Sequence, residues 1–136
     1  MKRTILALVV IAAGLWMAWD STRRVGDLGV GDSDLARSYA GARFDAAAWR
    51  HAGPDMRGRM LADLAERHRL VGVHRDSIEA LLGPNECYVA YEDEPCYSLE
   101  LGEEPYDLQF GVNHSSRPGT VIGVRLVERP SRPTRR

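Results

Sequence analysis

Residues 97–112 read YSLELGEEPYDLQFGV, and within them the hydrophobic period of the chain is two. Tyr97, Leu99 and Leu101 fall on every second position, GEEPY (102–106) supplies turn material, and Leu108, Phe110 and Val112 resume the alternation. Side chains spaced by two share one side of a strand. After a second polar turn, NHSSRPG (113–119), the same spacing returns in Ile122, Val124 and Leu126. These nine side chains predict one apolar face of an antiparallel meander.

Upstream of Pro84 the period is helical. In DMRGRMLADLAERHRL (55–70), Met56, Met60, Leu61 and Leu64 fall on one stripe, while Arg57, Arg59, Asp63, Glu66 and Arg67 are expected to face away. Gly58 weakens that helix slightly. RDSIEALLG (75–83) carries Ile78, Leu81 and Leu82 on a second stripe, with Gly83 and Pro84 as the stop. Asp45 is a candidate cap for a brief helix, AAAWR, with Phe44 and Trp49 as its apolar handles. An apolar sheet face needs a cover. The expected fold class is therefore α+β, with two short helices packed on one face of a three- or four-stranded antiparallel β-meander, preceded by an N-terminal membrane helix.

The 136 residues amount to one domain, and 27% charged with 44% hydrophobic residues is ordinary globular composition. A net charge of -1 gives no whole-molecule argument for nucleic acid. The charge is unevenly placed. Between Asn85 and Asp107 lie eight acids and no Lys or Arg, whereas residues 125–136 hold five arginines against Glu128.

The first residues, MKRTILALVVIAAGLWMAWD, place Lys2 and Arg3 before an uncharged run from Thr4 to Trp19. This is the layout of an export signal or a membrane anchor. At about 1.5 Å per residue the run spans roughly 24 Å as a helix, short of a hydrocarbon core of about 30 Å but tolerable with local thinning. Ala12 and Gly14 offer small residues for cleavage, yet a cut there leaves LWMAW on the product, so an uncleaved anchor is favoured. Thr4, Leu8, Ile11 and Leu15 would lie in the bilayer, with Trp16 and Trp19 at its outer interface. The expected location is the inner membrane, single-pass, with the C-terminal domain in the periplasm; the alternative is secretion to the periplasm after signal cleavage. The chain then divides into an anchor or signal (1–19), a flexible Gly- and Asp-rich linker (20–43) with a possible helical turn from Asp34 to Tyr39, an α+β domain (44–128) and a disordered basic tail (129–136).

Cys87 and Cys96 are the sole cysteines. With Tyr97 facing the core, Cys96 points away; with Tyr88 and Ala90 facing in on the preceding strand, Cys87 also points out. A hairpin pairing 87 with 96 brings the two sulfurs opposite one another, within reach of a disulfide. Such a bond persists in an exported protein. Free thiols and a catalytic thiol are the alternatives. Neither zinc ligation nor a CxxC redox motif has its usual residue set here.

The segment GVHRDSIEALLGP (72–84), followed by a meander, resembles the SmpA/OmlA, or BamE-like, family of bacterial envelope proteins. Gly72, Ile78, Leu81, Leu82 and Gly83 match the family motif, while Val73 stands where Met is usual, His74 replaces the capping hydroxyl, and Pro84 comes one residue early. Arg57, Met60, Asp63 and Leu64 resemble the helix that precedes the motif in small relatives. The likeness spans about residues 55–127. It implies a non-enzymatic envelope scaffold or protein-binding module. Family members are lipoproteins, and this chain has no cysteine at the end of its apolar run, so the fold and the envelope setting are what carry over.

Other chemistry is thinly represented. His51, His68, His74 and His114 are isolated in sequence, and Ser115 beside His114 is a weak hydrolase candidate lacking an evident orienting acid. The acids Glu92, Asp93, Glu94, Glu103 and Glu104 lack the spacing of a calcium loop and read as solvated surface or as a partner surface. No cofactor, nucleic acid or small-molecule substrate is expected. The expected partners are another envelope protein and, through the N-terminal helix, the membrane; a structural role within a larger envelope complex is the alternative.

Overall fold

The alternating residues form the sheet expected of them. The computed structural model describes residues 27–87 and 93–130. Their elements are α1 (Val30–Ser38), α2 (Ala46–His51), α3 (Pro54–Arg67), α4 (Arg75–Leu82), β1 (Cys96–Leu101), β2 (Glu104–Val112) and β3 (Val121–Glu128). The three strands are antiparallel in the order β1-β2-β3. The architecture is thus α+β, with four helices among the described residues rather than two, and α3 runs for 14 residues. Among the described residues no helix is long and apolar enough to cross a membrane, and the proposed anchor positions Thr4, Leu8, Ile11, Leu15, Trp16 and Trp19 lie outside them.

Tyr97 pairs with Leu108, Phe110 with Val124, and Leu108 with Leu126, so the predicted inward residues of β1 and β2 line one core. One of the nine does not. Gly111 faces Gly123 but Val112 faces Val121, so β3 carries one extra residue, Ile122, at a bulge. The alternation inverts across it: Val121 is 0% exposed and Ile122 is 62% exposed.

Helix α3 begins with Pro54 at its first turn, where a missing N–H costs nothing, and it packs along β1. Its buried face differs from the predicted stripe. Met56 is 40% exposed, whereas Arg57 is 6% exposed. The cause is Gly58. It lies against the Glu100 carbonyl of β1 so closely that a Cβ would overlap the oxygen. That approach turns residues 57, 58, 61 and 64 toward the sheet and rotates Met56 out. The glycine expected to weaken the helix is therefore what lets it dock. Asp63, also expected to face away, accepts a hydrogen bond from the Phe44 N–H at 2.7 Å.

The remaining helices follow from local signals. Asp45 Oδ1 accepts the Ala48 N–H at 2.8 Å and caps α2, which buries Trp49 beside Phe44. His74 caps α4, its Nδ1 accepting the Asp76 N–H at 3.2 Å in place of the usual hydroxyl. Ile78 and Leu82 are buried and Leu81 partly so; Gly83 ends the helix at φ +95°, a conformation favourable to glycine. The Tyr97 hydroxyl donates to the Gly83 carbonyl at 2.7 Å, and burial pushes its phenol well above the usual tyrosine range.

Two boundary readings change. The linker reading of 20–43 gives way from Asp27 onward: Asp27 accepts the Leu70 N–H at 2.8 Å, Leu28 is buried and bridges to Val124, and Ala36 of α1 packs into the core. Asp27 and Asp32 are spent on backbone donors of the domain rather than on water. The tail reading of 129–136 likewise gives way at Arg129, whose N–H donates to the Pro105 carbonyl at 2.9 Å.

Candidate functional site: the disulfide and the acidic loop

Cys87 and Cys96 form a disulfide, with Cα atoms 5.2 Å apart, and no cysteine is free. Cys96 is at the start of β1, on the sheet face opposite Tyr97 and the core. That face was expected to be open at both sulfurs, yet Cys96 is fully buried and Cys87 is only partly exposed. The covering comes from residues 85–87. Asn85 Oδ1 accepts the Cys96 N–H at 3.0 Å, and the N–H groups of Glu86 and Cys87 both donate to the Cys96 carbonyl. The Asn85 amide also donates to the Glu94 carbonyl at 3.3 Å.

Glu86 and Arg57 extend this lattice. Arg57 donates from Nη1 to Glu86 Oε2 at 2.6 Å and from Nη2 to Oε1 at 2.7 Å, a two-point fork that a lysine cannot make. Its Nε donates to the Trp49 carbonyl at 3.0 Å, and Nη1 reaches the Ser98 carbonyl at 3.3 Å. The guanidinium carbon also lies 5.2 Å from the Trp49 ring centroid. One buried cation thus ties α2, α3, the segment before Cys87 and β1 together. The sequence contained a signal for this, since Arg57, Leu61 and Leu64 also fit a helical stripe, but a charged residue there is ordinarily assigned to solvent.

The acids expected to form a partner surface fall into separate places. Asp93 Oδ2 lies 3.1 Å from His114 Nδ1, and Glu94 Oε1 lies 3.5 Å from its Nε2. His114 therefore docks the disulfide-closed loop onto the turn between β2 and β3. Glu103 and Glu104 lie beyond the other end of the six-residue β1, about 20 Å away at the rise of a strand. Glu92, Tyr88 and Ala90 lie outside the described residues.

Ser115 does not face a histidine base in these contacts. Its hydroxyl and its N–H both donate to Asn113 Oδ1, at 3.2 and 2.8 Å, while the His114 nitrogens face carboxylates.

A further residue, unremarked in the sequence, joins the disulfide. Asp107 of β2 lies opposite Ser98 on the sheet face that carries Cys96, and one of its carboxylate oxygens is within 4.8 Å of both sulfurs. Arg129 Nε is 3.1 Å from Asp107 Oδ1. The charges pair at that distance, but the N–H is not aligned for a hydrogen bond, and Oδ1 is a buried acceptor without one. With the sulfurs joined to each other, the group is not a set of thiolate metal ligands.

The residues that resemble the SmpA/OmlA motif occupy structural positions. Gly72 adopts φ +81° and donates its N–H to the Val121 carbonyl at 2.8 Å; Ile78, Leu81, Leu82 and Gly83 form and end α4 as described above. No family model matches the chain, nor does any curated protein or solved structure.

Proposed function

We propose that this chain is a non-enzymatic module of the bacterial cell envelope, tethered in the inner membrane by residues 1–19, whose periplasmic α+β domain binds another envelope protein. The observation that carries this reading is the disulfide, because such bonds persist where the surroundings are oxidising and are rare in the cytosol of most bacteria. The basic-then-apolar N-terminus and the resemblance of residues 72–84 to the SmpA/OmlA family support it independently.

Geometry favours one surface within this reading. Backbone groups at both outer edges of the sheet are already engaged, by Asn85, Glu86 and Arg57 at β1 and by Gly72, Val73 and Asp32 at β3. Recognition by adding a strand would have to displace these bonds. Asp93 and Glu94, at the exit of the segment closed by Cys87 and Cys96, suit a basic partner surface, which would compete with the His114 side chain rather than with sheet-edge backbone bonds. Photo-crosslinking residues placed at Asp93 or Glu103 in the full chain, in intact cells, test the reading. An envelope-protein adduct from position 93 and none from 103 is the expected result. Absence of an adduct from both positions removes the loop as a partner surface.

A further inference from the structure

Thiol exchange at a protein disulfide needs one sulfur that a small molecule can reach and a way to move the proton of the other. The two sulfurs here differ in that respect. Cys96 is fully buried, whereas Cys87 is partly exposed and precedes the loop. Within 4.8 Å of both sits a carboxylate oxygen of Asp107, close enough to take a proton through one water. Among the other charged side chains nearby, Glu86 is held by Arg57 and Arg125 donates to Gln109 Oε1 at 3.0 Å. Glu100 lies two residues past Ser98, and Arg129 contacts the Asp107 carboxylate itself. The Asp107 carboxylate keeps one acceptor, Oδ1, that lies beside the Arg129 charge but has no aligned hydrogen-bond donor. A bridged sulfur has no S–H to give it. Reduction of the bond creates one.

We propose that Cys87 and Cys96 form an exchange-active pair, in which Cys87 carries the mixed disulfide and Asp107 accepts the Cys96 proton as the ring closes. In the oxidising direction the Cys87 thiolate attacks a small-molecule disulfide, breaking its S–S bond and releasing one thiolate. The Cys96 thiol then passes its proton to the Asp107 carboxylate as its sulfur attacks Cys87 Sγ. The mixed bond breaks, the second small-molecule thiolate leaves, and solvent returns the proton from Asp107. Two electrons have passed from the two cysteines to the small disulfide, giving two small thiols. The reverse sequence, driven by excess small thiol, opens the bond. This is a different property from partner binding and does not depend on it.

Glutathione disulfide is the probe. The full chain is reduced, mixed with it at a series of pH values, quenched by acid and alkylation, and mapped by mass spectrometry. The transient glutathione adduct is expected on Cys87. In Asp107→Asn the adduct should accumulate, ring closure should slow about 100-fold at neutral pH, as for loss of a general base, and the rate should rise with pH along a single alkaline limb. Asp107→Glu, which retains a carboxylate, should recover much of the rate and the wild-type shape of the profile; that recovery separates proton transfer from damage to the fold. An adduct mapping to Cys96 would overturn the proposal. So would wild-type rate and pH profile in Asp107→Asn, failure of Asp107→Glu to close faster than Asp107→Asn, or a wild-type dithiol that does not react.

Discussion

At the β1 edge of the sheet the outward backbone groups meet side chains, a helix and, at the Cys96 carbonyl, the N–H groups of Glu86 and Cys87, whereas at the β3 edge they meet mainly other backbone. Cys96, Ser98 and Glu100 face Asn85, Glu86, Arg57 and Gly58. Val121 instead exchanges hydrogen bonds with Gly72 and Val73, both at 2.8 Å, Leu28 bridges to Val124, and one carboxylate, that of Asp32, takes the Leu126 N–H at 2.9 Å. Both arrangements satisfy buried polar groups and deny the edge to another chain. They differ in how the load is distributed. The β1 closure depends on a few side chains that each serve several partners, so removing one should be felt at several sites. The β3 closure is spread over backbone bonds that survive most substitutions.

The largest test of this contrast is Gly58→Ala. The added Cβ meets the Glu100 carbonyl, a backbone atom that yields only if α3 and β1 separate, and a loss of about 3 kcal/mol is expected in urea unfolding. A loss below about 1 kcal/mol would mean that the helix shifts without penalty and that the β1 edge is less tightly closed than described.

Arg57→Ala comes next. It strands the Trp49 and Ser98 carbonyls and unpairs Glu86, whose side chain retains some exposure that moderates the cost, so about 2 kcal/mol should be lost. Arg57→Lys should recover less than half of that, since the ammonium cannot form the fork. Full recovery by lysine would show that charge, rather than geometry, closes this edge.

At the β3 edge Asp32→Ala removes one acceptor and should cost about 1 kcal/mol, read as a lower urea midpoint at unchanged slope. An effect as large as that of Arg57→Ala would erase the distinction between the edges. The smallest effect is expected at the bulge: Ile122→Thr should change stability by less than about 0.5 kcal/mol, because that side chain stands in solvent. A larger loss there would restore the uninterrupted alternation and place Ile122 in the core.

Parts of the candidate site were legible and parts were not. The pairing of Cys87 with Cys96 was anticipated from a hairpin register, and the bond is present, while the strand residues Tyr88 and Ala90 on which that register was built lie outside the described residues. Asp107 was not legible as the group beside it, since a polar residue between two inward-facing neighbours on a strand reads as solvent-facing. Nor did the acids at 93 and 94 announce their histidine, because His114 approaches from a turn whose residues carry no shared period with them.

Taken alone, the residues determined the alternating strands, the Asp45 cap, the glycine stop at 83 and the cysteine pair. Each depends on neighbours within about ten positions, where backbone geometry relates spacing to direction. Tertiary structure decided the roles of Arg57, Gly58, Asp27, Asp32, Asp107 and Arg129, and it turned Ile122 outward. Arg57 meets Ser98 across 41 positions, and Asp32 meets Leu126 across 94. No periodicity in one segment encodes which distant backbone group it will meet. That choice is made when α3 settles on β1, where the absence of a side chain at position 58 permits the approach.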